Sequence, residues 1–552
     1  MSSGREGRHI NANIRRLVHF FLLLFMVLSG GLVYWQVIIA PAVTANVHNR
    51  RHCMLQNAPL RGRILDRNGV VLAESVPDKS ALCGYVRRYS EPSLAGLIGY
   101  YVPEYGLIDG IEKQYSSILN GEDNHLPLEE LINQTLHRHF IGNDIYLTID
   151  VRIQRSINRL FTDYHPKTDA LYQRPPFKNM VYASNRGAAI VSNPRTGEIL
   201  AIVSAPGYDP NRMVQTLSHS DLSYFDKINQ NPDQPLLMRP LKARYAPGSI
   251  FKTVTLMAAL DTGATTLDHP WSQREAIGPI VYDGRRIMGD NLGYGLYTFH
   301  FPITTAYAYA NSDNIVFAQL GVSTGRETWL DYTRRLSIDQ ALNFDVPTVR
   351  SSVQNADKSP LTVLQLASNA FGQGVDNVTP LQMVLVDNTV ANNGILMRPM
   401  VLAKIVDKDE NPLQIFSPQI LNTVVSKETA YQVRQAMNGV TTCGSGWRLN
   451  TVFSSPDAII GKTGTAEIGG GKEAHSWMIT QAPFWSTDPD QVPALSIVAM
   501  RENAGEGVYA VGPAIWKMYR EIFRQGYIKV TLPPGNNPYM YCPAQGLWQT
   551  HS

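Results

Sequence analysis

Residues 246–260 read Ala-Pro-Gly-Ser-Ile-Phe-Lys-Thr-Val-Thr-Leu-Met-Ala-Ala-Leu. The Pro-Gly pair ends whatever precedes it, and the apolar run from Phe251 to Leu260 reads as a buried helix. Ser249 therefore stands at or near a helix N-terminus, where backbone N–H groups favour developing negative charge. Lys252 lies three residues on and shares a helix face with it. A serine hydroxyl is a weak nucleophile until a neighbour takes its proton. A lysine does that only if burial or nearby positive charge lowers its pKa towards the working pH. Alone, Ser249 would be an ordinary N-cap serine.

Two later motifs remove that plain reading. Ser312-Asp313-Asn314 offers a hydroxyl that can relay a proton and an amide that can both accept and donate. The same S-x-N spacing at Ser156-Ile157-Asn158 reads as plain polar chemistry. Lys462-Thr463-Gly464-Thr465 follows the apolar run Ala458 to Gly461, readable as an edge strand. Its lysine and two hydroxyls suit a substrate carboxylate, and Gly464 permits close backbone approach. Lys462 also supplies the second cation that Lys252 needs. A P-loop reading of Gly461-Lys462-Thr463 fails, because the required glycine is replaced by Pro456. No H-E-x-x-H or G-x-S-x-G string occurs, and the 13 histidines show no ligand spacing, so no metal or cofactor is expected.

The rest of the chain frames this site. At 552 residues it is long enough for two or more domains. Apolar content is 44%, charged content 17% and formal net charge +3, which speaks against nucleic-acid binding. Cys53, Cys83, Cys443 and Cys542 are too few and scattered for a disulfide framework. They read mostly as buried small residues, with a single bridge in an oxidising compartment as the alternative. Leu17–Ala40 carries no formal charge and exceeds the roughly 20 residues needed to cross a bilayer core. It reads as an uncleaved signal-anchor. Arg5, Arg8, Arg15 and Arg16 precede it and Arg50 and Arg51 follow, which favours a cytoplasmic tail over 1–16.

Residues 41–165 read as a smaller, mostly-β module. Asn68-Gly69 between apolar runs signals a hairpin, and Ile145–Ile149 reads as a strand running into a helix capped by Asp150. Residues 166–186 read as a linker or peripheral loop. From 187 to 530 the pattern is strands at both ends, Ala188–Val191, Ile199–Val203 and Leu495–Met500, with helices between and a closing helix over Ala514–Phe523. That is an α+β architecture, an antiparallel sheet flanked by helices, with 531–552 as a tail.

The chain resembles the class B penicillin-binding proteins over nearly its whole length. RGRILDRNG (61–69) and GIEKQYSSILNG (110–121) resemble the family's pedestal motifs. TGEILAIVSAPGYDPN (196–211), GQGVDNVTPLQM (372–383) and KTGTAE with HSWM (462–467, 475–478) resemble blocks around its three catalytic motifs. The resemblance implies a membrane-anchored, extracytoplasmic peptidoglycan D,D-transpeptidase with a non-catalytic pedestal. Ser249 would attack the penultimate D-Ala of a stem peptide, with Lys252 as base and Ser312 and Asn314 assisting. Lys462, Thr463, Gly464 and Thr465 would bind the donor, and backbone N–H groups of Ser249 and Thr465 would form the oxyanion hole. β-Lactams would acylate Ser249, and a SEDS-family membrane glycosyltransferase would be the partner. No preceding glycosyltransferase domain, extended pedestal head or appended C-terminal repeat is expected. The alternatives are a D,D-carboxypeptidase or β-lactamase-like hydrolase, or a non-enzymatic β-lactam sensor.

Overall fold

The computed structural model describes residues 3–35, 60–81, 84–102, 107–121, 141–163, 184–282, 284–288, 301–446, 458–485 and 488–531. Helix α1 (Ser3–Val33) contains one stretch, Arg15–Val33, long and apolar enough to cross a membrane, with a mean hydropathy of 2.0. Among the described residues that stretch is left exposed, with Phe25 at 70%. Residues 36–40 of the expected span lie outside the described residues, as do most of the expected linker, nearly all of the C-terminal tail, and Cys53, Cys83 and Cys542.

The first sheet is built on the Asn68-Gly69 turn. Strands β1 (Ile64–Leu65) and β2 (Val71–Pro77) pair antiparallel across it, with Gly69 at a φ of +86° that favours glycine. β3 (Tyr85–Tyr89) adds to β2, and β4 (Asp144–Leu147) lies parallel to β1. Asp150 caps helix α2 (Val151–Thr162) by accepting from the Arg152 N–H, as its position suggested.

The pedestal motifs meet in a buried ion cluster. Glu112 receives Arg61 Nε at 2.5 Å and Arg87 Nε at 2.7 Å, and all three side chains are at most 1% exposed. Arg61 also reaches Asn120 Oδ1 at 2.7 Å, and Tyr89 donates to Glu112 at 3.2 Å. Burial pushes the Glu112 carboxyl up, but Arg87 and Arg61 overcome it and hold the group below its ordinary value.

The second sheet begins with β5 (Gly187–Ser192) and β6 (Ile199–Ala205). Chain order then gives helices α3 (Lys252–Asp261), α4 (Thr305–Ala310), α5 (Asn314–Thr324) and α6 (Pro380–Ala391). Strands β7 (Leu402–Val406) and β8 (Pro412–Ile415) precede helix α7 (Lys427–Thr442). Strands β9 (Ile460–Ala466), β10 (His475–Ala482) and β11 (Leu495–Arg501) and helix α8 (Gly512–Arg524) close the fold.

The five-stranded order is β9-β10-β11-β5-β6, all neighbours antiparallel, with β9 at the edge. Ile153, Ile157 and Phe161 of α2 join Ile515, Met518 and Ile522 of α8 in one apolar layer on the sheet. α6 is buried on every side and takes Gln382, Asp387 and Asn388 into the interior along with its apolar residues. The expectation of an antiparallel sheet flanked by helices is met.

One feature of the fold goes beyond the sequence patterns. The first sheet has six strands, ordered β8-β7-β4-β1-β2-β3, so β7 and β8 from the later part of the chain complete the pedestal sheet. Thr148 N–H donates to Val401 O at 2.8 Å, and Asp150 N–H to Leu200 O at 2.9 Å. Asn211 exchanges two hydrogen bonds of 2.8 Å with the Tyr89 backbone. The two regions share backbone hydrogen bonds as well as packed surface.

Candidate active site

Ser249 sits in a 3-10 turn, Gly248–Phe251, that runs directly into α3. Gly248 has a φ of +58°, and a Cβ there would lie 2.7 Å from Thr465 O. The Ser249 turn is thus pressed onto the β9 edge, and only glycine permits that approach. Gly464 has an internal reason of the same kind. A Cβ on it would meet Ile250 Cγ2 at 2.9 Å and Trp477 Cβ at 3.0 Å, independently of any substrate.

Lys252 is the first residue of α3 and is fully buried. Its Nζ lies 2.8 Å from Ser249 Oγ, 3.1 Å from Ser312 Oγ, 2.7 Å from Ser312 O and 2.6 Å from Asn314 Oδ1. On the other side of Ser312, Lys462 Nζ lies 2.9 Å from Oγ. Lys462 is also fully buried; it donates to Thr463 O at 3.0 Å and stands 5.6 Å from the centre of the Tyr309 ring. The polar atoms therefore form a line: Ser249 Oγ, Lys252 Nζ, Ser312 Oγ, Lys462 Nζ.

Ser312 reaches the middle of that line through its backbone. It has a φ of +64° in the turn between α4 and α5, an uncommon conformation for a residue other than glycine. Bonds from Ser312 N–H to Tyr309 O (3.1 Å) and from Asp313 N–H to Ala308 O (2.8 Å) hold the turn. Asp313 caps α5 by accepting from the Val316 N–H at 2.9 Å, which starts the helix at Asn314. The other S-x-N string lies within α2, far along the fold from these residues.

Two buried ammonium groups bridged by one hydroxyl cannot both be comfortably charged. Burial pushes the Lys252 amine down to about 7, against an opposing pull from Asp313. Burial pushes Lys462 well below its ordinary value, and the proximity of Lys252 adds to the effect.

The remaining polar groups border this line. Thr463 Oγ1 shares a 2.7 Å hydrogen bond with Ser445 Oγ, and Thr465 Oγ1 donates to Glu506 Oε2 at 2.9 Å. Neither Ser445 nor Glu506 stood out in the sequence. Ser445 follows α7 in a run of small residues, where a Cβ on Gly444 would lie 2.2 Å from Ala310 O. The only trace of this in the sequence is the run of small residues itself, Gly444-Ser445-Gly446. Two residues earlier, buried Cys443 is disulfide-bonded, so the reading of the cysteines as mostly buried small residues does not hold for it. Among the described residues no group of three His, Cys, Asp or Glu side chains could hold a metal.

Residues 187–515 match the penicillin binding protein transpeptidase domain, and residues 61–145 match the penicillin binding protein A dimerisation domain. The chain belongs to the penicillin-binding protein transpeptidase family. A peptidoglycan D,D-transpeptidase, PbpA of Mycolicibacterium smegmatis, is 28% identical over 518 residues, spanning 92% of this chain and 96% of the relative. Stage V sporulation protein D of Bacillus subtilis is 25% identical, over 96% of this chain and 88% of its own length. Among solved structures, the ceftriaxone acyl-enzyme of penicillin-binding protein A from M. tuberculosis superposes with a TM-score of 0.71 at 25% identity. The superposition covers 85% of this chain and 99% of that one.

Proposed function

We propose that this chain, a class B penicillin-binding protein, cross-links peptidoglycan stem peptides through an acyl-enzyme on Ser249, with release of D-Ala, and that β-lactams block it by forming the same ester. The observation that carries this reading is the line of polar atoms in which Lys252 Nζ touches both Ser249 Oγ and Ser312 Oγ while Lys462 touches Ser312 Oγ from the far side. An arrangement with a buried amine beside a helix-start serine suits acyl transfer without a histidine.

In this mechanism neutral Lys252 accepts the Ser249 proton as Oγ attacks the carbonyl of the penultimate D-Ala. Asn314 orients the Lys252 amine and the donor amide. The proton then passes through Ser312 to the departing D-Ala nitrogen. Lys462, Thr463 and Thr465 hold the terminal carboxylate, whose charge restores the ammonium form of Lys462. That ammonium in turn keeps Lys252 neutral. Gly464 keeps β9 seated against the Ser249 turn. Backbone N–H groups of Ser249 and Thr465 stabilise the oxyanion, at a few kcal/mol per donor in roughly comparable sites.

The general-base role has a signed pH dependence. The active form of Lys252 is the deprotonated one, so acylation should rise with pH through about 7 and then level off. Stopped-flow acylation by a chromogenic cephalosporin between acid and mildly alkaline pH checks this. A rate that falls over that range would remove Lys252 from the role.

The apolar stretch of α1 supports membrane anchoring, and the arginines on its N-terminal side favour an extracytoplasmic catalytic region. We place the pedestal at 41–165 and the catalytic domain at 187–530. A SEDS-family glycosyltransferase as partner rests on the family resemblance alone. The decisive experiment uses detergent-solubilised full-length protein, a synthetic stem pentapeptide donor and an amine acceptor. Mass spectrometry should find free D-Ala and a cross-linked product; free D-Ala with only hydrolysed donor would make the chain a carboxypeptidase.

A further inference from the structure

The two buried lysines set a problem for the second half of the reaction. Once D-Ala has left, the acyl-enzyme must be taken by an amine that arrives from solvent as an ammonium ion. Lys252 and Lys462 at the pocket floor repel such a cation to the extent that they are charged, whereas water is not repelled. A transpeptidase therefore gains from an anion at the pocket rim, placed where the amine enters.

Glu506 occupies such a place. Its carboxylate accepts the Thr465 hydroxyl at 2.9 Å, its side chain is exposed, and it has no ion-pair partner among the described residues. The backbone beneath it is fixed on both sides. Ser476 Oγ donates to Gly505 O at 2.7 Å, and Gly505 N–H to Ala474 O at 3.1 Å. A Cβ on Gly507 would lie 2.3 Å from both Gly464 O and Trp477 O, so this segment lies directly on β9 and β10. Acidic side chains on loose loops are common, but this one stands on a seated backbone beside the residue that closes the carboxylate subsite.

Microscopic reversibility locates the amine. The leaving D-Ala and the incoming acceptor are both amines that form or break the same bond, so they occupy the same position. The D-Ala nitrogen is two bonds from the carboxylate carbon assigned to Lys462, Thr463 and Thr465. That nitrogen therefore lies near the groups bordering Thr465.

We propose that Glu506 recruits the acceptor ammonium to the Ser249 acyl-enzyme and so biases deacylation towards aminolysis and away from hydrolysis, an inference that rests on the transpeptidase reading. The ammonium, drawn to the Glu506 carboxylate, loses one proton to bulk water. The free amine attacks the acyl carbonyl, the C–N bond forms and the bond from carbon to Ser249 Oγ breaks. The amine's second proton passes through the Lys252–Ser312 pair to Oγ, which restores the hydroxyl. Glu506 borders the position that both amines occupy, so its charge favours the second step by drawing the acceptor ammonium and opposes the donor carboxylate weakly in the first.

The test compares detergent-solubilised full-length wild type with Glu506→Gln and Glu506→Asp. Each is given the stem pentapeptide donor and either a cationic amine, D-alaninamide, or an uncharged nucleophile, hydroxylamine. For Glu506→Gln the ratio of aminolysis to hydrolysis with D-alaninamide should fall about fivefold at low salt, the upper range for an exposed charge pair, and the difference should shrink at high salt. The ratio with hydroxylamine should stay as in wild type, acylation by fluorescent penicillin should hold or quicken, and Glu506→Asp should recover most of the loss. An unchanged D-alaninamide ratio, an equal fall for both nucleophiles, or loss of acylation in Glu506→Gln would each overturn the proposal. Failure of the wild type to acylate would instead overturn the transpeptidase reading beneath it.

Discussion

Replacing Lys252 by methionine should slow acylation of Ser249 by about 10²–10⁴-fold, the range general-base catalysis contributes. The change removes the amine 2.8 Å from Ser249 Oγ while keeping an unbranched chain of similar volume in a fully buried position. Ser249→Ala should abolish covalent labelling entirely. Both are read by fluorescent penicillin, as a rate for the first and a labelled band for the second. Wild-type labelling rates in Lys252→Met would show that another group takes the proton. The neighbouring amine of Lys462 is the natural suspect, since it reaches the same Ser312 hydroxyl.

The second large effect lies far from the chemistry. Glu112→Ala leaves the guanidinium groups of Arg61 and Arg87 buried without their counter-charge, and breaking such a pair costs about 3–5 kcal/mol. The midpoint of urea unfolding followed by far-UV circular dichroism should fall accordingly, and at 37 °C the protein should lose soluble yield. The pH sign follows from the lowered carboxyl. Its stabilisation is present above the unfolded-state pKa and is lost as the pH falls through the folded-state value, below the ordinary carboxylate range. Wild type should therefore lose stability in acid more steeply than Glu112→Ala. Matching acid profiles would mean that the cluster does not stay ionised in the folded protein.

Much of the architecture was legible because it is written in local signals. The Asn68-Gly69 turn, the Asp150 cap and the apolar runs Ala188–Val191 and Ile199–Val203 each specify their element within a few residues. The serine, the S-x-N turn and the K-T-G strand were legible as types, because a serine paired with a lysine in place of a histidine calls for a second cation and polar side chains around it. Contacts between distant segments were not legible. Nothing in Leu402–Ile415 says that it will pair with Asp144–Leu147, since any strand with an apolar face offers the same edge. Ser445 and Glu506 escaped notice for the same reason: their importance comes from a neighbour, Thr463 or Thr465, contributed by another element. Gly464 read as room for a substrate, whereas the packing of Ile250 and Trp477 against it already demands glycine.

The six-stranded sheet also has a mechanical meaning. Its hydrogen bonds tie β8 to β7 and β7 to β4, and Leu60, just ahead of β1, bridges to Ile141. A pull on Leu60 therefore meets a sheet whose last two strands come from residues 402–415, joined to it by backbone hydrogen bonds.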